Sequence, residues 1–194
     1  ELVDLFADVP FASIPKLPMH PWASSLIDLQ NRREPLEQYF AACSGVDRAV
    51  GRLLAELDKL ALTRNTLVVY TSDQGFCTGH HGVWGKGNGT NPRNAYDTSL
   101  QVPMIFSHPG RLPAGKTVDA LVSAYDFMPT VLDYLGVKAP ADRNLPGRSF
   151  APMLRGEQQA DWPDAVFGEY GQLRFIRTND QKYIHRANGG PFEL

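Results

Sequence analysis

The sequence predicts an α/β fold: a mixed or parallel sheet flanked by helices, followed by a small antiparallel sheet at the carboxy end. Three observations predict it. Residues 36–60 carry apolar side chains at helical spacing. Directly after them comes "TLVVYT" (66–71), a short, β-branched, continuously apolar run of the kind buried on both faces of a helix-covered sheet. Beyond Ala165 the texture changes to brief aromatic-rich runs separated by turn signals, as in antiparallel strands.

In chain order, residues 1–35 hold prolines at 10, 15, 18, 21 and 35 and predict an irregular, surface-hugging segment. Leu36, Tyr39, Phe40, Cys43, Val46, Val50, Leu53, Leu54, Leu57 and Leu60 form the stripe of a one-sided amphipathic helix. After the first strand, "VPMIFS" (102–107) predicts a second, ended by "HPG". "YDFMPTVLDYLG" (125–136) predicts a helix with Asp126 capping its first turn, Pro129 near its start and Gly136 as C-cap. Residues 138–164 read as a loop-rich linker. "AVFGEYG", "LRFIRT" and "KYIHRA" predict three strands, the last two joined by the hairpin signal "NDQ". Phe167, Tyr170, Phe175 and Tyr183 are the expected core of that sheet. The domain division expected is a core portion over 1–137, the linker, and the start of a small antiparallel subdomain over 165–194.

The composition narrows the function. With 194 residues, 43% hydrophobic, 21% charged and a net charge of −2, the chain is an ordinary globular one with no basic footprint for nucleic acid. No apolar run reaches the roughly 18 residues of a membrane span, so no membrane is implied as a partner. Glu1 opens no signal peptide, and any targeting segment is expected upstream of it, so localisation is not read. The two cysteines are too few for a disulfide framework. Cys43 lies on the helical stripe and reads as buried, whereas Cys77 lies in a polar stretch and reads as accessible.

That polar stretch, "TSDQGFCTGHHGVWGK" (71–86), carries the chemistry. Asp73 and Gln74 follow directly on the first strand, where polar groups at the carboxyl ends of strands face a ligand crevice. A carboxylate and an amide oxygen are hard ligands suited to calcium or magnesium. Gly75, Gly79 and Gly82 let the loop turn back. Lys86 then adds a positive charge that is useful beside a metal only if an anion bridges the two. A metal and an ammonium around a tetrahedral oxyanion suit sulfuryl or phosphoryl transfer. Taken singly, each residue has an ordinary structural use: an Asp caps local backbone N–H groups, and a lysine lies at the surface. Asn88-Gly89-Thr90 fits an N-glycosylation acceptor, and Asn88, Asn91, Arg93 and Asn94 read as a solvated polar insertion.

In combination these segments resemble the sulfatase family, of alkaline-phosphatase-like fold. The resemblance runs collinearly through "YFAACSGVDRAVGRLLAELDKLALTRNTLVVYTSDQG", "GHHGVWGK", "AYDTSLQVPMIFSHPG", "VSAYDFMPTVLDYLGV" and "RFIRTNDQKYIHRANGGPFEL". It implies that Asp73 and Gln74 are the family's second pair of divalent-metal ligands, for Ca²⁺ or Mg²⁺. It implies that Lys86 holds the sulfate, and that His81 is the loop histidine, serving either catalysis or structure. Arg93 would lie where the family rims its pocket, facing an anionic group or a sugar hydroxyl. Asp126 and Thr130, at a helix start, are expected to support the fold.

Family members attack sulfur with a formylglycine made from the cysteine or serine of a "C-x-P-S-R"-type motif. Neither Cys43 ("CSGVD") nor Cys77 ("CTGHH") stands in one. The family's first metal pair and its upstream leaving-group histidine have no match either, since His20-Pro21 comes too late in the order. The resemblance therefore implies a carboxy-terminal portion, with formylglycine in a missing amino-terminal half that is its expected partner, acting on a sulfate ester. Two alternatives remain: a phosphodiesterase or phosphonate hydrolase of the same superfamily, and a non-catalytic remnant or assembly module.

Overall fold

The stripe that begins at Leu36 folds as helix α1, Arg33–Lys59, 27 residues long. The computed structural model describes residues 1–25, 28–29, 31–139, 144–187 and 189–194. The chain divides into two compact units, Glu1–Ile105 and Phe106–Leu194.

In the first unit the proline-rich amino-terminal stretch is irregular apart from one 3-10 turn at Val3–Phe6, and it is pinned to α1. Phe6 and Phe11 stack with Phe40 at ring-centroid distances of 5.9 and 5.3 Å. The Arg33 guanidinium donates to the carbonyl oxygens of Phe6 (2.8 Å), Ala7 and Val9 (3.1 Å), and it lies over the Phe11 ring. Further along, the apolar side of α1 is open: Val46, Leu53 and Leu60 are 50%, 68% and 56% exposed. Only Leu36 and Ala41 of the helix are buried.

The strand predicted at 66–71 forms as β1, Val68–Thr71. It is half-buried to exposed rather than covered on both faces, with Tyr70 exposed. Double-sided burial needs a packed layer on each face, yet α1 buries so little that it supplies neither in full. Strand β4, Met104–Ser107, forms a two-stranded sheet with β1, and alternate side chains of β4 are also exposed. Cys43 is exposed, against expectation, because it lies on the helix surface that nothing in the unit covers.

In the second unit helix α3, Ala124–Leu135, carries the predicted caps. Ser123 is the N-cap, and the Asp126 carboxylate closes a capping box by accepting from the Ser123 N–H at 2.8 Å. Gly136 ends the helix with φ 68°, a left-handed conformation that glycine adopts without a Cβ penalty. The other Asp126 oxygen accepts from the Arg148 N–H at 2.8 Å. Thr130, fully buried, donates its hydroxyl to the Asp126 carbonyl oxygen (2.6 Å) and accepts from the Phe150 N–H (3.0 Å). These two residues tie α3 to the start of a short helix, α4 (Ala151–Arg155), which forms within the stretch the sequence reads as loop. Thr130→Val is expected to cost about 1–3 kcal/mol by leaving the Phe150 N–H unsatisfied. A chemical-denaturation midpoint unchanged from the parent chain would contradict that.

The predicted carboxy-terminal strands form β5 (Ala165–Tyr170), β6 (Leu173–Thr178) and β7 (Lys182–Arg186), an antiparallel meander in the order β5-β6-β7. Its register pairs Phe175 with Gly168 on one side and with Ile184 on the other. A Cβ on Gly168 would stand 2.1 Å from the Phe175 ring, so the ring occupies the space that glycine leaves. The four aromatics divide between the faces, because side chains alternate along a strand. Phe175 and Tyr170 share a face with buried Leu173 and Ile184, whereas Phe167 (65%) and Tyr183 (42%) are exposed on the other. The aromatic core expected from the sequence is thus half aliphatic.

Candidate active site

β1 ends at Thr71 and the chain turns at Ser72, whose hydroxyl lies 2.9 Å from the Gln74 carbonyl oxygen and 3.3 Å from the Asp73 carboxylate. Asp73 is exposed and Gln74 half-buried, just past the strand's carboxyl end. Apart from Ser72, the Asp73 carboxylate has no hydrogen-bond or ion-pair partner among the described residues. Gly75 presses against the chain that follows: its N–H donates to the Ser99 carbonyl oxygen at 3.1 Å, and a Cβ there would stand 2.3 Å from the Thr98 carbonyl oxygen.

The loop then turns back as a small hairpin. β2 (Cys77–Thr78) pairs antiparallel with β3 (Trp84–Gly85), in the register Cys77↔Gly85 and Thr78↔Trp84. Lys86, the next residue after β3, therefore returns to the end of the hairpin from which Asp73 and Gln74 lead in. Its side chain is half-buried and has no ion-pair partner among the described residues. Phe76 and Trp84 brace the hairpin on Tyr39 of α1, at ring-centroid distances of 5.3 and 6.2 Å. Burial pushes the Tyr39 hydroxyl pKa above its ordinary value, and the nearby Cys43 adds to the rise. Cys77 is fully buried, with its sulfur 3.0 Å from Thr98 Oγ1 and 3.2 Å from Ser99 Oγ, which reverses the reading of it as accessible. The reversal arises because β2 is covered by the one-turn helix α2, Asp97–Leu100.

At the hairpin tip, His80–Gly82 form a 3-10 turn after Gly79, which has φ 109°. His81 is exposed and adopts φ 58°. Its ring lies 3.9 Å from the Tyr96 ring, at 17° to it. Gly82 is packed against the amino-terminal stretch, and a Cβ on it would stand 2.0 Å from the Pro18 carbonyl oxygen. The Nδ1 atom of His80 is buried without a hydrogen-bond partner. Arg93 is exposed on the segment after Lys86.

Of the polar insertion expected to be solvated, Asn88, Asn91 and Arg93 are exposed, whereas Asn94 is not. Asn94 is 1% exposed. Its amide nitrogen donates to the Lys86 carbonyl oxygen (3.3 Å) and to Thr90 Oγ1 (3.1 Å). Its amide oxygen accepts from Ser99 Oγ (2.8 Å) and from the Tyr96 N–H (3.4 Å). Asn94, Tyr96 and His20 are the residues that reading the sequence does not bring to the site. An asparagine in a run of asparagines and glycines carries the same local signal whether it faces water or a buried network, so no spacing rule separates Asn94 from its neighbours.

Asp73 and Gln74 carry hard oxygen donors of the kind calcium or magnesium takes. Calcium takes 6–8 oxygens, so two residues supply only part of a shell. No group of three or more His, Cys, Asp or Glu side chains gathers among the described residues.

The sequence matches the family model described as Sulfatase over residues 16–137. It is 37% identical over 164 residues to N-acetylglucosamine-6-O-sulfatase of Bacteroides thetaiotaomicron, covering 79% of this chain and 28% of that protein. Among solved structures, it is similar to a protein in complex with its substrate D-glucosamine-2-N,6-O-disulfate, at TM-score 0.72 and 35% identity, covering 82% of this chain and 33% of that one. It is also similar to a phosphonate monoester hydrolase from Silicibacter pomeroyi, at TM-score 0.72 and 27% identity, over 81% of this chain and 34% of that one. The chain thus spans about a third or less of each of these three proteins. With a matching family model across most of its length and an alkaline-phosphatase-like α/β fold, the chain belongs to the sulfatase family.

Proposed function

We propose that this chain is the carboxy-terminal portion of a sulfuric ester hydrolase and supplies one side of its metal and sulfate site. The observation that carries the reading is the β2–β3 hairpin, whose register returns Lys86 toward the Asp73–Gln74 turn at the end of β1. In this role Asp73 and Gln74 would each offer an oxygen to Ca²⁺ or Mg²⁺, which when bound would supply positive charge to the sulfate. Lys86 brings its ammonium to the sulfate oxygens and stabilises charge that builds on them as the ester bond breaks. His81 stands at the hairpin tip as a group able to hold or move a proton, and Arg93 as a rim contact for an anionic or sugar portion of the substrate. The formylglycine nucleophile belongs to sequence outside these residues, because neither Cys43 nor Cys77 stands in its motif.

The open apolar side of α1, the exposed Tyr70 and Thr71 of β1 and the exposed alternate positions of β4 support the view that a further part of the core packs on this chain. That part is the amino-terminal half carrying the nucleophile and the other metal ligands. By this reading residues 1–137 belong to the main core and 165–194 begin a separate small sheet.

Two measurements test the proposal. The 194-residue chain alone is expected to leave an aryl sulfate and a 6-O-sulfated glucosamine unhydrolysed, and to bind calcium more weakly than micromolar. Hydrolysis at a rate usual for the family, or micromolar calcium affinity, would show that these residues need no further half. The structural likeness to a phosphonate monoester hydrolase keeps a second reading, in which the site takes a phosphonate ester. A phosphonate monoester turned over faster than any sulfate ester by the longer enzyme would select it.

A further inference from the structure

We propose that Tyr96, pinned by His20, is the positioning residue that holds the His81 imidazole at the hairpin tip; the inference rests on the reading of His81 as part of the sulfate site.

Four links form a closed ring. His81 and Gly82 are joined by the peptide bond. The Gly82 carbonyl oxygen accepts from the His20 N–H at 2.9 Å. His20 Nε2 lies 3.0 Å from the Tyr96 hydroxyl oxygen. The Tyr96 ring then lies against His81 at 3.9 Å and 17°, the closest aromatic pair described in the chain. One residue, His20, therefore grips both the backbone beside His81 and the platform on which its ring rests.

The hydrogen bonds also fix the sense of each link. His20 Nδ1 is 3.0 Å from the Trp22 N–H, which can only donate. Nδ1 is therefore the acceptor, the neutral ring carries its proton on Nε2, and that N–H donates to the Tyr96 oxygen. Tyr96 is thus held as an acceptor by His20, and its phenolic hydrogen is directed away from that ring. Trp22 packs edge-on against His20 at 5.4 Å and limits the ring's rotation. At the other end, Asn94 Oδ1 accepts from the Tyr96 N–H, so the Tyr96 backbone belongs to the same buried network that holds the Lys86 carbonyl group.

His81 needs this support. A φ of 58° is left-handed, where a side chain with a Cβ is uncommon, and the residue is exposed. A free imidazole on such a turn would sample several rotamers. The parallel stack selects one, and ordering a catalytic group before substrate arrives is what a supporting residue contributes.

The test uses the full 194-residue chain with histidine rings labelled for NMR. In the parent chain the His81 ring protons are expected upfield of a free imidazole, because they lie over the Tyr96 face. Tyr96→Leu should return them to free-imidazole positions. Tyr96→Phe keeps the ring and should hold them partly upfield while changing the His20 Nε2–H signal. Recovery of the shift by the conservative variant separates positioning from general loss of structure, and the methyl spectrum of each variant reports folding. His81 signals that do not move in a folded Tyr96→Leu chain would overturn the proposal, as would a Tyr96→Phe chain whose His20 signals match the parent's. A titration with inorganic sulfate separates this proposal from the site reading beneath it. Shifts at both Lys86 and His81 in the parent, kept at Lys86 but lost at His81 in Tyr96→Leu, support the two together. Sulfate shifts at neither residue, with the ring-current result intact, support the positioning and overturn the sulfate site.

Discussion

Lys86→Ala, in the sulfatase that contains this chain, is expected to lower kcat/KM for a sulfate ester by about 10²–10³-fold, the usual loss when one pre-placed donor to a developing oxyanion is removed. Lys86 is half-buried just after β3 and engaged in no ion pair among the described residues. Its loss should therefore change the chemistry without unpairing an acid elsewhere, and the melting temperature should stay near the parent's. The fall should appear mainly in kcat, because charge on the sulfate oxygens grows on the way to the transition state. Lys86→Arg keeps the charge but changes its shape, and should restore only part of the rate. A kcat/KM within threefold of the parent for Lys86→Ala would remove the central residue from the proposed site.

The second large effect falls on stability. Asn94→Asp is expected to destabilise the chain by about 2–4 kcal/mol, measured as a urea midpoint lowered by roughly 1 M or more. Asn94 is 1% exposed and donates to two acceptors, the Lys86 carbonyl oxygen and Thr90 Oγ1. A carboxylate keeps the shape but has no hydrogen to donate. It would face the Lys86 carbonyl oxygen without a bridging proton, as a buried charge with no cation described beside it. Thr90 can rotate its hydroxyl to donate, so one of the two contacts is recoverable and the other is lost. If the proposed site holds, the consequence reaches function, since the same carbonyl belongs to Lys86. Asn94→Asp with a midpoint equal to the parent's would return this segment to the solvated loop that its composition suggests.

What the sequence makes legible here is local. Helix α3 is recognisable because each of its signals acts within one turn: Asp126 on the N–H of the N-cap residue, Gly136 on the last carbonyls. The hairpin between β6 and β7 is legible in "NDQ" for the same reason. The residues of the candidate site are legible as types, since an acid, an amide, a lysine and four glycines in one short stretch are a poor recipe for either a core or a linker. Burial is less legible. Cys43 and Cys77 exchange their expected environments, because a helical stripe shows only which side is apolar and a polar stretch shows only which atoms it offers. Neither states what will be laid over it.

By itself the sequence determined the family, the longer elements and the chemical inventory of the loop, because periodicity, capping and motif spacing are properties of neighbouring residues. Tertiary structure alone decided that His20 meets Tyr96 across 76 positions, that Asn94 is a buried hub, and that Gly85, just before Lys86, pairs with Cys77. The reason is physical: a hydrogen bond or ring stack between distant segments depends on the path of the backbone between them, and that path is settled by how the whole unit packs rather than by any stretch within it.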